Sequence, residues 1–210
     1  MTKMALLLII IASFTFSSAH SQTDMSLLNQ GEKALRELEP QFAGTPVYLI
    51  DDDRLKTKLK DSLMSAIELM EKAHEENPAE VKALYLLGKA YSFSHDLNIP
   101  GAWQKSTKYL EEYLKSEKGN YKAYLYLGKN YMDAERFDEA YEIYKTAHGL
   151  EPDSEAEKFM SVTLMFQNKA PEAITTLKRY VSTHPKDQDA PKMLQALEES
   201  RFSKEVTSAK

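Results

Sequence analysis

Apolar residues recur three and four positions apart along most of the chain and nowhere alternate as in a strand, so the pattern predicts helices throughout. The pattern is clearest in YKAYLYLGKNYMDAERFDEAYEIYKTAHGLEPDS, residues 121–154, where Leu127, Gly128 and Tyr131 mark one face of a helix. Ala140, Tyr144 and Ala147 mark one face of a second helix, and Pro152 stops the pair. Earlier in the chain, VKALYLLGKAY (residues 81–91) matches YKAYLYLGKNY (residues 121–131) at Lys, Ala, Leu, Gly, Lys and Tyr. A poorer copy follows over Ser154–Asp187, with Met160, Ser161 and Leu164 in the first helix and Ala173, Leu177, Tyr180 and Pro185 in register behind them. The chain therefore repeats a helix-turn-helix unit that has to stack on its neighbours to bury its apolar faces.

The ends of the repeat array are less regular. Ala66, Met70, Ala73 and Pro78 stand as Ala140, Tyr144, Ala147 and Pro152 do, which makes residues 53–80 the second helix of a degenerate unit. Its partner is either the helix predicted over 25–39, bearing Leu27, Leu28, Ala34, Leu35 and Leu38, or the short Val47–Ile50 region; the first is favoured. Between them Gly44 and Pro46 punctuate an irregular connection. Asp51, Asp52 and Asp53 lack the spaced ligands and central glycine of an EF-hand loop and read as helix-capping residues. At the other end Met193, Leu194 and Leu197 among polar residues predict a capping helix over 188–202, followed by a loose tail over 203–210.

The unit at 121–154, with its Leu127, Gly128, Tyr131, Ala140, Tyr144, Ala147 and Pro152, resembles the tetratricopeptide repeat. The resemblance extends over about residues 59–187. It implies an all-α, right-handed solenoid of antiparallel helix pairs with helical caps. The units are 53–80, 81–120, 121–154 and 155–187, preceded by an N-terminal segment 22–52. It further implies that the first helix of each pair lines a concave groove. That places Lys82, Tyr85, Lys89 and Phe93 beside Lys122, Leu125, Lys129 and Met132 as candidate peptide-binding residues. Each lysine pair is seven residues apart and so shares a helical face, which suits an extended peptide bearing acidic residues; solvated helix surface is the plainer alternative. Lysine stands at 89 and 129 where the carboxylate clamp of some family members has asparagine, so that function is not implied.

The unit at 81–120 is longer than its neighbour, and the excess falls in FSHDLNIPGAW, residues 93–103, read as an elongated internal loop. Trp103 is a candidate loop contact, with packing at the start of the following helix as the favoured alternative. Most tyrosines between Tyr85 and Tyr144 stand at packing positions of the repeat, and Tyr85, with Tyr121 as the second candidate, is best placed to face a ligand.

At the N-terminus Lys3 precedes the uncharged run Met4–Ser18, too short for an ordinary membrane span and followed by Ala19 and Ser21. This predicts a signal peptide cleaved after Ala19 or after Ser21, the second favoured because Gln22 then begins a polar chain, so that it spans 1–21, and hence export to the periplasm or cell envelope, otherwise secretion, without stable membrane insertion after cleavage. The chain contains no cysteine, so packing alone must stabilise it. A net charge of −5 argues against nucleic acid as a partner.

Candidate chemistry adds little. No phosphate loop or activated nucleophile is present, and His74, His95, His148 and His184 are scattered without metal-ligand spacing, so no catalytic, cofactor or metal residue is expected. The sequence thus predicts a non-catalytic interaction adaptor or scaffold whose protein or peptide partner it does not identify. A small-solute or glycan-binding protein using the groove aromatics and the 93–103 loop is the second reading.

Overall fold

Helices begin where side chains can satisfy the free N–H groups of a first turn. The computed structural model describes residues 27–42 and 52–208, with side chains to residue 199. The expected signal peptide, the Gly44–Pro46 punctuation, the Val47–Ile50 region and Asp51 lie outside the described residues. Asp52 accepts from the backbone N–H groups of Arg54 and Leu55 at 2.9 and 3.1 Å, with Asp53 in the first turn behind it. Asn120 likewise accepts from Lys122 and Ala123. The helix at 170 instead begins with Pro171, whose missing N–H costs nothing in the first turn.

Two compact units result, one ending at Ser116 and the other beginning at Glu117. The first contains α1 (27–42), α2 (Asp53–Glu76), α3 (Val81–Asp96) and α4 (Ala102–Ser116). The second contains α5 (Tyr121–Asp133), α6 (Phe137–Leu150), α7 (Ala156–Phe166), α8 (Ala170–Thr183) and α9 (Ala190–Ser208). No strand occurs among the described residues. In the first unit α2 packs on α3 and α3 on α4, and in the second each helix from α5 to α9 packs on the next.

One packing device recurs in each of the first three pairs. A Cβ at Gly31 would lie 2.5 Å from Met70 Cγ, at Gly88 2.6 Å from Leu110 Cγ, and at Gly128 2.5 Å from Tyr144 Cε1. The bare glycine of the first helix therefore receives a large side chain of the second, close enough that no other residue fits without displacement. In the fourth pair Ser161, fully buried, takes the glycine's place, and its hydroxyl donates to the carbonyl of Lys158. The Gly31–Met70 contact makes α1 the partner of α2. α1, which overlaps the helix predicted over 25–39, thus stands as the first half of that pair.

The excess length of the 81–120 unit does not form an elongated loop. α3 has 16 residues against 13 in α5, because Phe93 and Ser94 are buried and continue the packed face. The connection to α4 is only the turn 97–101, closed by Asn98 N–H donating to the carbonyl of His95 at 2.8 Å. Asn98, Glu135 and Asn168 have φ of 56°, 57° and 61° in equivalent turns between the helices of a pair. Asparagine tolerates this left-handed region and glutamate does so poorly. Glu135→Gly is therefore expected to stabilise the protein by about 1 kcal/mol, measured by urea denaturation; an unchanged or lower midpoint would contradict it.

At the C-terminal end Leu177, Tyr180 and Ala190 form a core against which Val181, Met193, Leu194 and Leu197 pack. Helix α9 continues to Ser208, past the expected end at 202 and through most of the segment read as a loose tail. Its start is held by Asp187, which accepts from the N–H groups of Asp189 and Ala190, both at 3.0 Å.

Candidate functional site

Once one side of a first helix is committed to its pair, the positions three before and four after the pocket glycine lie on the flank expected to face a ligand. In the first unit most of that flank is closed, Tyr85 excepted. On α1 these positions are Leu28 and Leu35, each 1% exposed, and on α3 the later one is Ser92, also 1% exposed. The lysines of α3 are paired within the chain. Lys82 Nζ lies 2.6 Å from Glu32 Oε2, and Lys89 is paired with Glu39. The hydrogen bond from Lys82 holds the Glu32 carboxyl below the usual range, against the opposing effect of its partial burial. Phe93, 8% exposed, stacks face to face on Phe42 with centroids 4.4 Å apart. Tyr85 is half-buried and tilted against Tyr113 at 5.3 Å. The structure thus groups the four predicted residues of α3, and α1 supplies carboxylates to both lysines and a ring to the phenylalanine.

The second unit differs. On α5, Leu125 and Met132 are half-buried and seven residues apart, sharing a face. Lys129 pairs with Asp133 at 3.2 Å, while Lys122 is exposed beside the Tyr121 ring. The Thr163 hydroxyl donates to Met132 Sδ at 3.2 Å and ties α5 to α7. In register with Leu125, Lys129, Met132 and Asp133, α7 presents Lys158, Val162, Met165 and Phe166. Val162 and Met165 are half-buried, and Phe166 is 57% exposed although it stacks on Phe137 at 5.2 Å. Sequence reasoning missed these α7 residues. Counting from Ser161 as from Gly128 would have found them.

Lys158 is the hub of a polar cluster at the other end of the unit. It pairs with Asp187 at 2.9 Å and with Glu155 at 3.7 Å, and the Tyr180 hydroxyl donates to the same Asp187 oxygen at 3.0 Å. The Lys158 hydrogen bond, seconded by those from the backbone of Ala190 and Asp189 and from Tyr180, holds the Asp187 carboxyl far below its ordinary value. Burial, with the hydrogen bond to Asp187, pushes the Tyr180 phenol up.

Trp103 lies half-buried in the first turn of α4, not in an extended loop. A second polar cluster joins α2, α3 and α4: the Tyr91 hydroxyl donates to Glu71 at 2.5 Å and Lys105 donates to the Tyr91 oxygen at 2.7 Å. Burial, then the Glu71 hydrogen bond, raises the Tyr91 phenol well above its usual range, so it is a neutral hydrogen-bond donor at any ordinary pH. His74 stacks edge-on to Tyr109 at 6.0 Å. Among the described residues no group of three or more His, Cys, Asp or Glu is placed to hold a metal, and no helix is long and apolar enough to cross a membrane.

Residues 131–197 match the family model described as tetratricopeptide repeat. Solved structures are similar in fold. A crystal structure of MamA shares 19% identity at a TM-score of 0.61, covering 73% of this chain and 87% of that one. The thermophilic tetratricopeptide repeat protein TTC0263 of Thermus thermophilus shares 15% identity at a TM-score of 0.57, covering 83% of this chain and 98% of that one. A second crystal structure of MamA shares 19% identity at 0.53, covering 82% and 96%. No curated protein matches the chain.

Proposed function

We propose that this chain, whose residues 131–197 match the tetratricopeptide repeat family model and whose fold is similar to that of a solved tetratricopeptide repeat protein, is a non-catalytic adaptor binding an extended peptide segment of a protein partner. The observation that carries this reading is the half-exposed flank of α5 and α7. Leu125, Met132, Val162 and Met165 remain partly open there after the other side of each helix is committed to its pair. Apolar side chains beside lysine ammonium groups bind through burial and charge, with no reacting group required. The lysines of α3 contribute differently in this proposal: with Glu32 and Glu39 already opposite them, they fasten α1.

Each unit also carries a helix with a solvated polar side, α1 in the first and α9 in the second. Asn29, Lys33, Arg36 and Glu37 are exposed on α1, as are Lys192, Gln195, Glu198 and Glu199 on α9. The location follows from the N-terminal run Met4–Ser18: the adaptor is exported and acts in the periplasm or at the cell envelope. Intact-mass measurement of the protein recovered from its host is expected to give a chain beginning at Gln22, and a chain retaining Met1 would overturn export by cleavage.

The adaptor reading is tested by offering envelope extract to the purified chain, to Leu125→Glu, and to Lys145→Glu, an exposed site on α6. A defined set of proteins is expected on the wild type and on Lys145→Glu, with at least tenfold less on Leu125→Glu when all three give the same circular dichroism. Equal retention by Leu125→Glu would remove α5 from the binding surface.

A further inference from the structure

We infer, building on the groove reading above, that Met132, Val162, Met165 and Phe166, with Phe137 behind the ring, form an anchor site for one large apolar side chain of the partner peptide. An aromatic side chain fits best, and the same peptide carries a carboxylate about six residues away that reaches Lys122.

Equivalent positions within the chain point to this site. Five residues after the pocket glycine, α3 has Phe93 and α7, counted from Ser161, has Phe166. The Phe93 ring is covered within its own unit by Phe42, with the planes only 4° apart, and is 8% exposed. Phe166 stacks one face on Phe137 and still leaves 57% of its surface in water. The chain's own way of covering such a ring is a second ring laid parallel to it. Offset stacking of this kind contributes beyond the area buried. The flanking side chains suit an incoming ring: Met132 and Met165 are unbranched and polarizable, and methionine surfaces adapt their shape to apolar guests.

Charge specifies the other end. On α5 and α7 three lysines could meet an anion, and two are already matched, Lys129 by Asp133 and Lys158 by Asp187 and Glu155. Lys122 is exposed, and among the described residues no carboxylate lies within ion-pair distance of it. Relative to the pocket positions, Lys122 and Phe166 stand eleven helical places apart, about 16 Å along the axis at the rise of an α-helix. Adding about 9 Å between neighbouring axes gives roughly 19 Å, which an extended chain covers in about six residues. A uniformly acidic peptide would satisfy Lys122 alone and leave the ring exposed.

The test is selection of a phage-displayed random dodecapeptide library on the purified chain, followed by fluorescence-anisotropy titration of the enriched sequence as a fluorescein-labelled peptide. The enriched sequences are expected to share an aromatic or large aliphatic residue about six positions from Asp or Glu. Phe166→Ala is expected to weaken binding at least tenfold and Lys122→Glu at least fivefold, both with unchanged circular dichroism, while Lys145→Glu leaves it unchanged. Peptides that lack the apolar residue, or that bind Phe166→Ala as tightly as wild type, overturn the anchor; the groove reading then survives if Leu125→Glu still abolishes their binding. Failure to enrich any sequence overturns the groove reading and the anchor with it.

Discussion

Gly128→Val is expected to lower folding stability by about 3 kcal/mol, because its Cβ alone would lie 2.5 Å from a ring carbon of Tyr144 before either methyl group is placed. Tyr144 is 3% exposed and cannot swing into water without opening the core of its pair. The better helix propensity of valine returns only a few tenths of a kcal/mol. Tyr144→Ala by itself removes the large side chain and costs about 3–5 kcal/mol. In the double variant the valine occupies space that the ring has left, so the two losses do not add, and the double variant is expected to be more stable than their sum by about 1–3 kcal/mol. Urea denaturation of the four proteins gives the cycle. Strict additivity would mean that the glycine is not there to admit the ring. Gly149 provides the contrast, since a Cβ there meets nothing within 4 Å. Gly149→Ala in α6 is therefore expected to be neutral or to gain up to about 1 kcal/mol.

Asp187→Ala is expected to cost about 3 kcal/mol. One carboxylate holds the Lys158 ammonium, accepts the Tyr180 hydroxyl and caps the N–H groups at the start of α9. Charge-assisted hydrogen bonds contribute about 1.5–3 kcal/mol and a cap about 1, although bonds sharing one group do not sum. The site is sheltered, with the Asp187 side chain 17% exposed and that of Lys158 18%. Because the folded protein holds this carboxyl below its ordinary value of 3.8, its contribution is fully present above that pH. Protonation removes it progressively as pH falls from there through the lower folded value. The stability difference between wild type and Asp187→Ala should accordingly be constant from pH 5 to 8 and shrink below about pH 4. A difference that grows on acidification would refute the assigned role. Loss of the cap should also appear as faster amide exchange at the start of α9.

Helix count and pairing were largely legible in the sequence. Apolar spacing near 3.6 residues, the glycine shared by the matching stretches at 81–91 and 121–131, and stops such as Pro152 are all local signals, each confined to one helix pair. Periodicity also showed that Lys82 and Lys89 share a face, as do Lys122 and Lys129. It could not tell what stands opposite them. The carboxylates that meet Lys82 and Lys89 belong to Glu32 and Glu39, fifty residues away, and their approach depends on the register in which α1 lies against α3.

The same limit explains the turn at 97–101. Extra residues after Tyr91 read as a loop because Pro100 and Gly101 interrupt the pattern, yet burial of Phe93 and Ser94 made it favourable to extend α3 and shorten the connection. Sequence alone determined where the helices of the regular repeats lie and which face of each must be covered, because hydrophobic burial and backbone hydrogen bonding act over a few turns. Only the tertiary structure decided which covered face belongs to which neighbour, which lysines are already neutralised, and that Phe166 stays open where Phe93 is closed. Those outcomes depend on side chains brought together from distant parts of the chain, and a single helix carries no record of them.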